Sequence, residues 1–157
     1  MDWFTILKRI MVVAVFLGSV SVAYANDLVP IGKWKTIDDE THLPRSIIQL
    51  WDDNGQLKGK IEQIFYQPGE QINEICDKCP DDWHNQKKIG MTILWGFTQN
   101  PNNQLQWING KILDPKTGKI YQCQLTLTET GKELKVRGYI GIPLLGRTQQ
   151  WLRQVEE

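Results

Sequence analysis

The most constraining feature of this chain is the even recurrence of turn motifs between short segments of alternating polarity. Asp53-Asn54-Gly55 separates two apolar runs. It is a strong hairpin signal, because Asn and Gly accept the positive φ that a two-residue connection demands. Asn100-Pro101-Asn102-Asn103 separates two more runs. Asp114-Pro115-Lys116-Thr117-Gly118 combines a side-chain acceptor, a preset φ and a glycine for the left-handed position. Glu129-Thr130-Gly131-Lys132 is a fourth turn.

Eight strands are expected, roughly over 32–38, 46–52, 56–65, 91–97, 105–113, 120–128, 133–140 and 147–153. In the sixth, Tyr121, Cys123, Leu125 and Leu127 share one face, and Gln122, Gln124, Thr126 and Thr128 the other. In the seventh, Leu134, Val136 and Ile140 oppose Lys135, Arg137 and Tyr139. Period two is what a half-buried strand requires. Short links favour sequential neighbours, and eight strands can close on themselves and leave no edge. The expected fold is therefore all-β: an eight-stranded antiparallel up-and-down barrel, with a two-sheet β-sandwich as the alternative. An outer-membrane barrel fits poorly. Its lipid face would be uniformly apolar, whereas the polar faces here carry Lys58, Lys60, Glu62, Lys135 and Arg137.

The first residues read differently. Lys8 and Arg9 precede an apolar run over 10–22, which ends in Ala23-Tyr24-Ala25. This is the charged, apolar and small-x-small order of a secretory signal peptide. The run is short of the ~20 residues that span a bilayer, and no Cys stands at the cleavage point to take a lipid. Cleavage after Ala25 leaves residues 26–157 as one domain with no membrane span, periplasmic or secreted. Eighteen acidic residues balance eighteen basic ones, and loss of Asp2, Lys8 and Arg9 with the leader leaves one net negative charge. That balance gives no electrostatic reason to expect nucleic acid or an anionic membrane surface.

A polar segment over 67–90 interrupts the strand rhythm and holds Cys76-Asp77-Lys78-Cys79. In an oxidising compartment two close thiols pair, so a structural disulfide is the leading expectation. A redox pair would want a βαβ context. A zinc site on Cys76, Cys79 and His84 lacks an evident fourth ligand, and free thiols are the remaining reading. Cys123 lies on an apolar strand face and is expected to be a buried, inert thiol. Asp38, Asp39, Glu40, Asp52 and Asp53 fall at strand ends and are read as turn formers rather than acid–base or calcium groups. No metal or cofactor is called for.

Six of the seven tryptophans lie beyond residue 25, either as core filling or as the lining of an aromatic cavity. Arg137 and Tyr139 share a strand face, and Arg147 follows Gly146. At a barrel mouth such groups could fork onto a carboxylate or phosphate.

Two sets of residues also carry a family resemblance. Gly32-x-Trp34 with a late Arg such as Arg153 resembles the signature of the calycins, which include the lipocalins. There a first-strand Trp closes one barrel end beneath a basic side chain from the last strand. The longer set is Gly32-Lys33-Trp34-Lys35-Thr36-Ile37-Asp38, Gly110-Lys111-Ile112-Leu113-Asp114-Pro115 with Gly118-Lys119-Ile120-Tyr121, Leu134 through Gly141, and Gly146-Arg147-Thr148-Gln149-x-Trp151-x-Arg153. Together these are similar to the secreted bacterial family known as domain of unknown function 2147. The resemblance implies an exported protein with a lipocalin-like barrel, and it transfers no catalytic residue.

The functional expectation is a non-enzymatic envelope protein that binds a small, partly apolar ligand. Its site would draw on Trp34, Trp51, Trp95, Trp107, Tyr121, Arg137, Tyr139, Arg147, Trp151 and Arg153. The alternative is a protein–protein interaction module with a filled barrel, working through the 67–90 segment and Gly141-Ile142-Pro143-Leu144-Leu145-Gly146. An enzyme is the third reading.

Overall fold

The computed structural model describes residues 28–155; the signal-peptide reading of residues 1–25 lies outside them. The strands are β1 (Gly32–Ile37), β2 (Pro44–Asp53), β3 (Gln56–Ile64), β4 (Thr92–Asn100), β5 (Asn103–Asp114), β6 (Lys119–Leu127), β7 (Glu133–Tyr139) and β8 (Arg147–Gln154). Each pairs antiparallel with the next, and β1 pairs with β8, so the sheet closes into a barrel. That last pairing decides against the sandwich.

Local sequence accounts for the corners. Asn54 and Gly55 adopt φ of 55° and 83°, and Asp53 pairs directly with Gln56 across them. Asp52 Oδ1 accepts the Gly55 N–H. Asp38 Oδ1 accepts the backbone N–H groups of Glu40 and Thr41 in the β1–β2 turn. Those bonds hold its carboxyl below the usual range, with the Thr41 N–H the largest cause. Asp38 and Asp52 thus hold turns, as their positions implied, while Asp53 pairs with Lys58.

Strict alternation fails at several places, and the break in β5 has consequences for the interior. In β5, Trp107 pairs with Leu125 and Gly110 with Cys123, so one extra residue is accommodated between them. Asn109, at φ 66°, lies in that bulge, and Gly96, at φ 78°, lies opposite in β4. Leu94 and Phe97 are both fully buried although three residues apart, and Trp107 and Gly110 are both buried at the same spacing. A bulge permits this spacing because it resets the pleat.

Trp34, Ile48, Leu50, Leu57, Ile61, Leu94, Phe97, Leu125, Leu127, Leu134, Val136 and Trp151 fill the core. The packing is tight along the axis: a Cβ on Gly110 would lie 2.2 Å from the Phe97 ring. Cys123 is fully buried, and burial pushes its thiol up to about 12.

The long β3–β4 connection does not hang free. Ile93 and Leu113 neighbour the inward Leu94–Ile112 pair, so alternation puts them on the outer wall, yet both are buried. The connection covers that wall. Trp83, in a short 3-10 turn (Asp81–Trp83), stacks on Trp95 with ring centroids 5.1 Å apart. Its Nε1 donates to Thr92 O at 3.1 Å. Cys76 and Cys79 are joined as a disulfide and are buried. Cys76 Sγ lies 3.3 Å from Pro115 O. The disulfide expectation holds, and the half-cystines are not available to zinc.

Candidate functional site

An up-and-down barrel has two ends, and each carries a different arrangement here. At one end the chain before β1 crosses the barrel. Trp34 Nε1 donates to Pro30 O at 2.7 Å, and Arg153 Cζ stands 4.4 Å from the Trp34 ring centroid. The same guanidinium donates to Gly131 O, Ile31 O and Val29 O. Desolvation lowers the pKa of Arg153 from its ordinary value. A cation over an indole in such a partly dry setting is worth ~2 kcal/mol or more. Trp34 and Arg153 therefore form a structural plug. A cleft of about 270 Å³ remains beside it, lined by Val29, Ile31, Asp52, Leu57, Gln99 and Trp107 among others.

The other end collects the β1–β2, β3–β4, β5–β6 and β7–β8 connections. On the outer wall near this rim a ladder runs across four strands. Trp95 pairs with Lys111, Lys111 with Gln122, and Gln122 with Tyr139. Directly opposed residues share a face, so these four side chains form one row. A groove of about 270 Å³ lies over its second half, lined by Lys111, Ile120, Tyr121, Gln122, Tyr139, Ile140 and Gly141. Lys111, Tyr121, Gln122 and Tyr139 make no side-chain hydrogen bond or ion pair among the described residues. No carboxylate lines the groove, so its only formal charge is the Lys111 ammonium.

Arg137 faces outward on β7, opposite Gln124 and Thr148. It does not enter the groove. Its Nε donates to Pro143 O at 2.6 Å, Nη2 to Leu144 O at 3.1 Å and Nη1 to Thr148 Oγ1 at 2.7 Å. It thereby folds the β7–β8 loop back against the strand. The fit is close at Gly146, where a Cβ would meet Gly138 O at 2.5 Å and Tyr139 Cβ at 2.8 Å. With its backbone held this way, the loop presents Ile140, Ile142, Leu144 and Leu145 to solvent at 71%, 53%, 81% and 77% exposure.

The ten residues expected to line one site are thus distributed. Tyr121 and Tyr139 meet at the rim groove, and Trp107 lines the opposite cleft. Trp34 and Arg153 are packed at the closed end, and Trp151 is buried in the core. Trp95 lies on the outer wall under Trp83, and half-buried Trp51 pairs with Lys58 on the outer face of β2. Arg147 is bonded to Asp39, with Nη2 2.7 Å from Oδ2. The cation of the groove is Lys111, which was not among the ten, and neither were Gln122 and Ile120. Nothing in the single sequence singles out Lys111, because its neighbours are set by cross-strand register.

Among solved structures, the chain is similar to one described as "Protein HP1028 from the human pathogen Helicobacter pylori belongs to the lipocalin family". The two share 17% identity over 82% of this chain and 84% of the other, with a TM-score of 0.68. At that identity the likeness is one of fold. No curated protein matches the chain. The family model described as "Uncharacterized protein conserved in bacteria (DUF2147)" matches residues 32–153. That span runs from the first residue of β1 almost to the end of β8, and the chain belongs to this family.

Proposed function

We propose that the protein is an exported, non-enzymatic binder of a small, partly apolar anion, held in the rim groove rather than inside the barrel. One observation carries this reading: an amine, an amide and a phenol, of Lys111, Gln122 and Tyr139, without side-chain partners among the described residues, stand over a groove that no carboxylate lines. Polar ends positioned around a concavity with apolar edges are the usual makings of a small-molecule site. Lys111 supplies the charge, Gln122 and Tyr139 supply hydrogen bonds, and Ile120 and Ile140 supply apolar contact. A groove of about 270 Å³ suits a fragment-sized molecule. Export rests on the leader over residues 1–25, which also motivates the envelope setting.

The test is a two-dimensional NMR titration of the exported protein with phenyl phosphate and with hexanoate. Saturable shifts confined to Lys111, Gln122, Tyr139 and their neighbours, weakened at least tenfold in Lys111→Gln, are expected. Shifts that ignore Lys111, or cluster at Trp107, would refute the assignment.

The filled barrel axis and the exposed 140–145 loop favour the second reading, an interaction module. A pull-down from envelope extract with wild type and with Leu144→Ser/Leu145→Ser tests it. Loss of a co-purifying protein in the double variant, with the groove inert to both anions, would move the function to that surface.

A further inference from the structure

We infer that the rim groove and the β7–β8 loop together form a docking surface for a lipid bilayer. In this arrangement the groove takes a phosphate headgroup and the loop inserts its aliphatic side chains. This rests on the reading of the groove as an anion site.

The two features are continuous. Ile140 and Gly141 line the groove, and Ile142, Leu144 and Leu145 follow at once in the chain. Arg137 holds the loop on the same outer wall that carries Tyr139. The chemistry of the loop matches lipid in two respects. First, three carbonyls at its tip, those of Ile142, Pro143 and Leu144, already have donors. Pro143 has no N–H, and its carbonyl accepts from both Arg137 and Gly146. Leu144 O accepts from Arg137, and Ile142 O accepts from the Leu145 N–H. Each group so held is one fewer to be left unpaired near hydrocarbon, because lipid offers no partner for a free peptide group. Second, the exposed side chains are all aliphatic, whereas protein interfaces favour aromatic residues, Met and Arg. Tyr139 stands immediately before the loop, at the level where tyrosine favours a membrane interface.

The charge pattern points the same way despite the neutral whole. Lys111 faces the groove unopposed, while Asp39 is taken up by Arg147 and Asp38 by Arg45 at 3.9 Å. Glu40 is the remaining carboxylate of that neighbouring turn. A basic side chain beside an apolar tip is a two-part anchor, each part weak alone.

The experiment is co-sedimentation of the exported protein with phosphatidylcholine vesicles, with and without phosphatidylglycerol. Phenyl phosphate titration and sedimentation velocity are run on the same samples. Binding to the phosphatidylglycerol vesicles is expected. Leu144→Ser/Leu145→Ser should weaken it about tenfold or more, while leaving the phenyl phosphate shifts at Lys111 and Tyr139 in place. Lys111→Gln should abolish the preference for phosphatidylglycerol. If the soluble anion binds and neither vesicle does, the docking inference falls and the groove reading stands. If none of them binds, both fall. Vesicle binding that survives the double serine variant would overturn the inference. So would a dimer that the double serine variant dissociates, which would make the loop a contact between copies of this chain.

Discussion

Gly110→Ala tests whether the barrel is filled, and so whether a ligand site must lie outside it. The substituted Cβ would fall 2.2 Å from Phe97 Cδ1 and 2.3 Å from Cε1. Carbon atoms in contact settle at ~3.5–4.0 Å, so the ring or the wall must yield by over ~1 Å. Phe97 is fully buried and pairs with buried Leu57 across β3. Overpacking of this kind costs ~1–3 kcal/mol. Gly110 does not have the positive φ that would itself penalise Ala. The alanine also restricts the unfolded chain, returning ~0.4–1 kcal/mol. A net loss of about 1.5 kcal/mol is therefore expected, lowering Tm by about 6 °C for a domain of this size. Urea unfolding should show a lower midpoint with an unchanged m-value. Phe97→Leu makes room for the methyl, so the Gly110→Ala/Phe97→Leu pair should be more stable than the sum of single effects by about 1 kcal/mol. If Gly110→Ala lies within ~0.5 kcal/mol of wild type and shows no coupling to Phe97, the ring has space to retreat into. The barrel is then hollow there, and the search for a ligand returns to its interior.

Three further expectations concern other parts of the molecule. Arg153→Lys loses the planar fork that reaches Gly131, Ile31 and Val29 carbonyls over the Trp34 ring. It should cost about 2 kcal/mol by thermal melting, and an unchanged Tm would remove Arg153 from the plug. Cys123 should resist iodoacetamide in the native protein and react only on unfolding, since burial holds its thiol up to about 12; labelling of the folded protein at neutral pH would contradict this. Glu70, bonded through both oxygens to Arg45, is lowered from 4.5 to about 2, chiefly by that side-chain bond. A depressed carboxylate stabilises above its unfolded pKa, and the contribution is lost as pH falls from about 4.5 through about 2. For a solvent-facing pair it stays under ~1 kcal/mol. Carboxyl NMR should show Glu70 titrating near 2 in wild type and returning toward the ordinary range in Arg45→Gln; no change would refute the coupling.

Much of the architecture follows from local chemistry. The Asp53-Asn54-Gly55 hairpin, the alternation in β6 and β7, and the eight-strand count are carried by turn residues and side-chain period. Both act over a few neighbours and so survive in a linear reading. The Trp34–Arg153 contact was legible for a different reason, a spaced pattern known from calycin barrels. The closure into a barrel was expected from eight sequential strands, whereas the wall covered by the 65–91 connection and the bulge at Asn109 were not legible. Trp95 and Phe97 look like partners on one strand face, yet the tertiary structure sends one outward and the other to the core. The groove is the clearest case. Lys111, Gln122 and Tyr139 stand on three strands and meet only because the bulge shifts β5 by one residue against β6. Arg137, from sequence the stronger anion ligand, is committed to loop carbonyls that no spacing reveals. Period two tells a side chain which face it shares with its neighbours along one strand. Which side chains stand beside it across the sheet depends on register, and register is settled by the packing of the whole barrel.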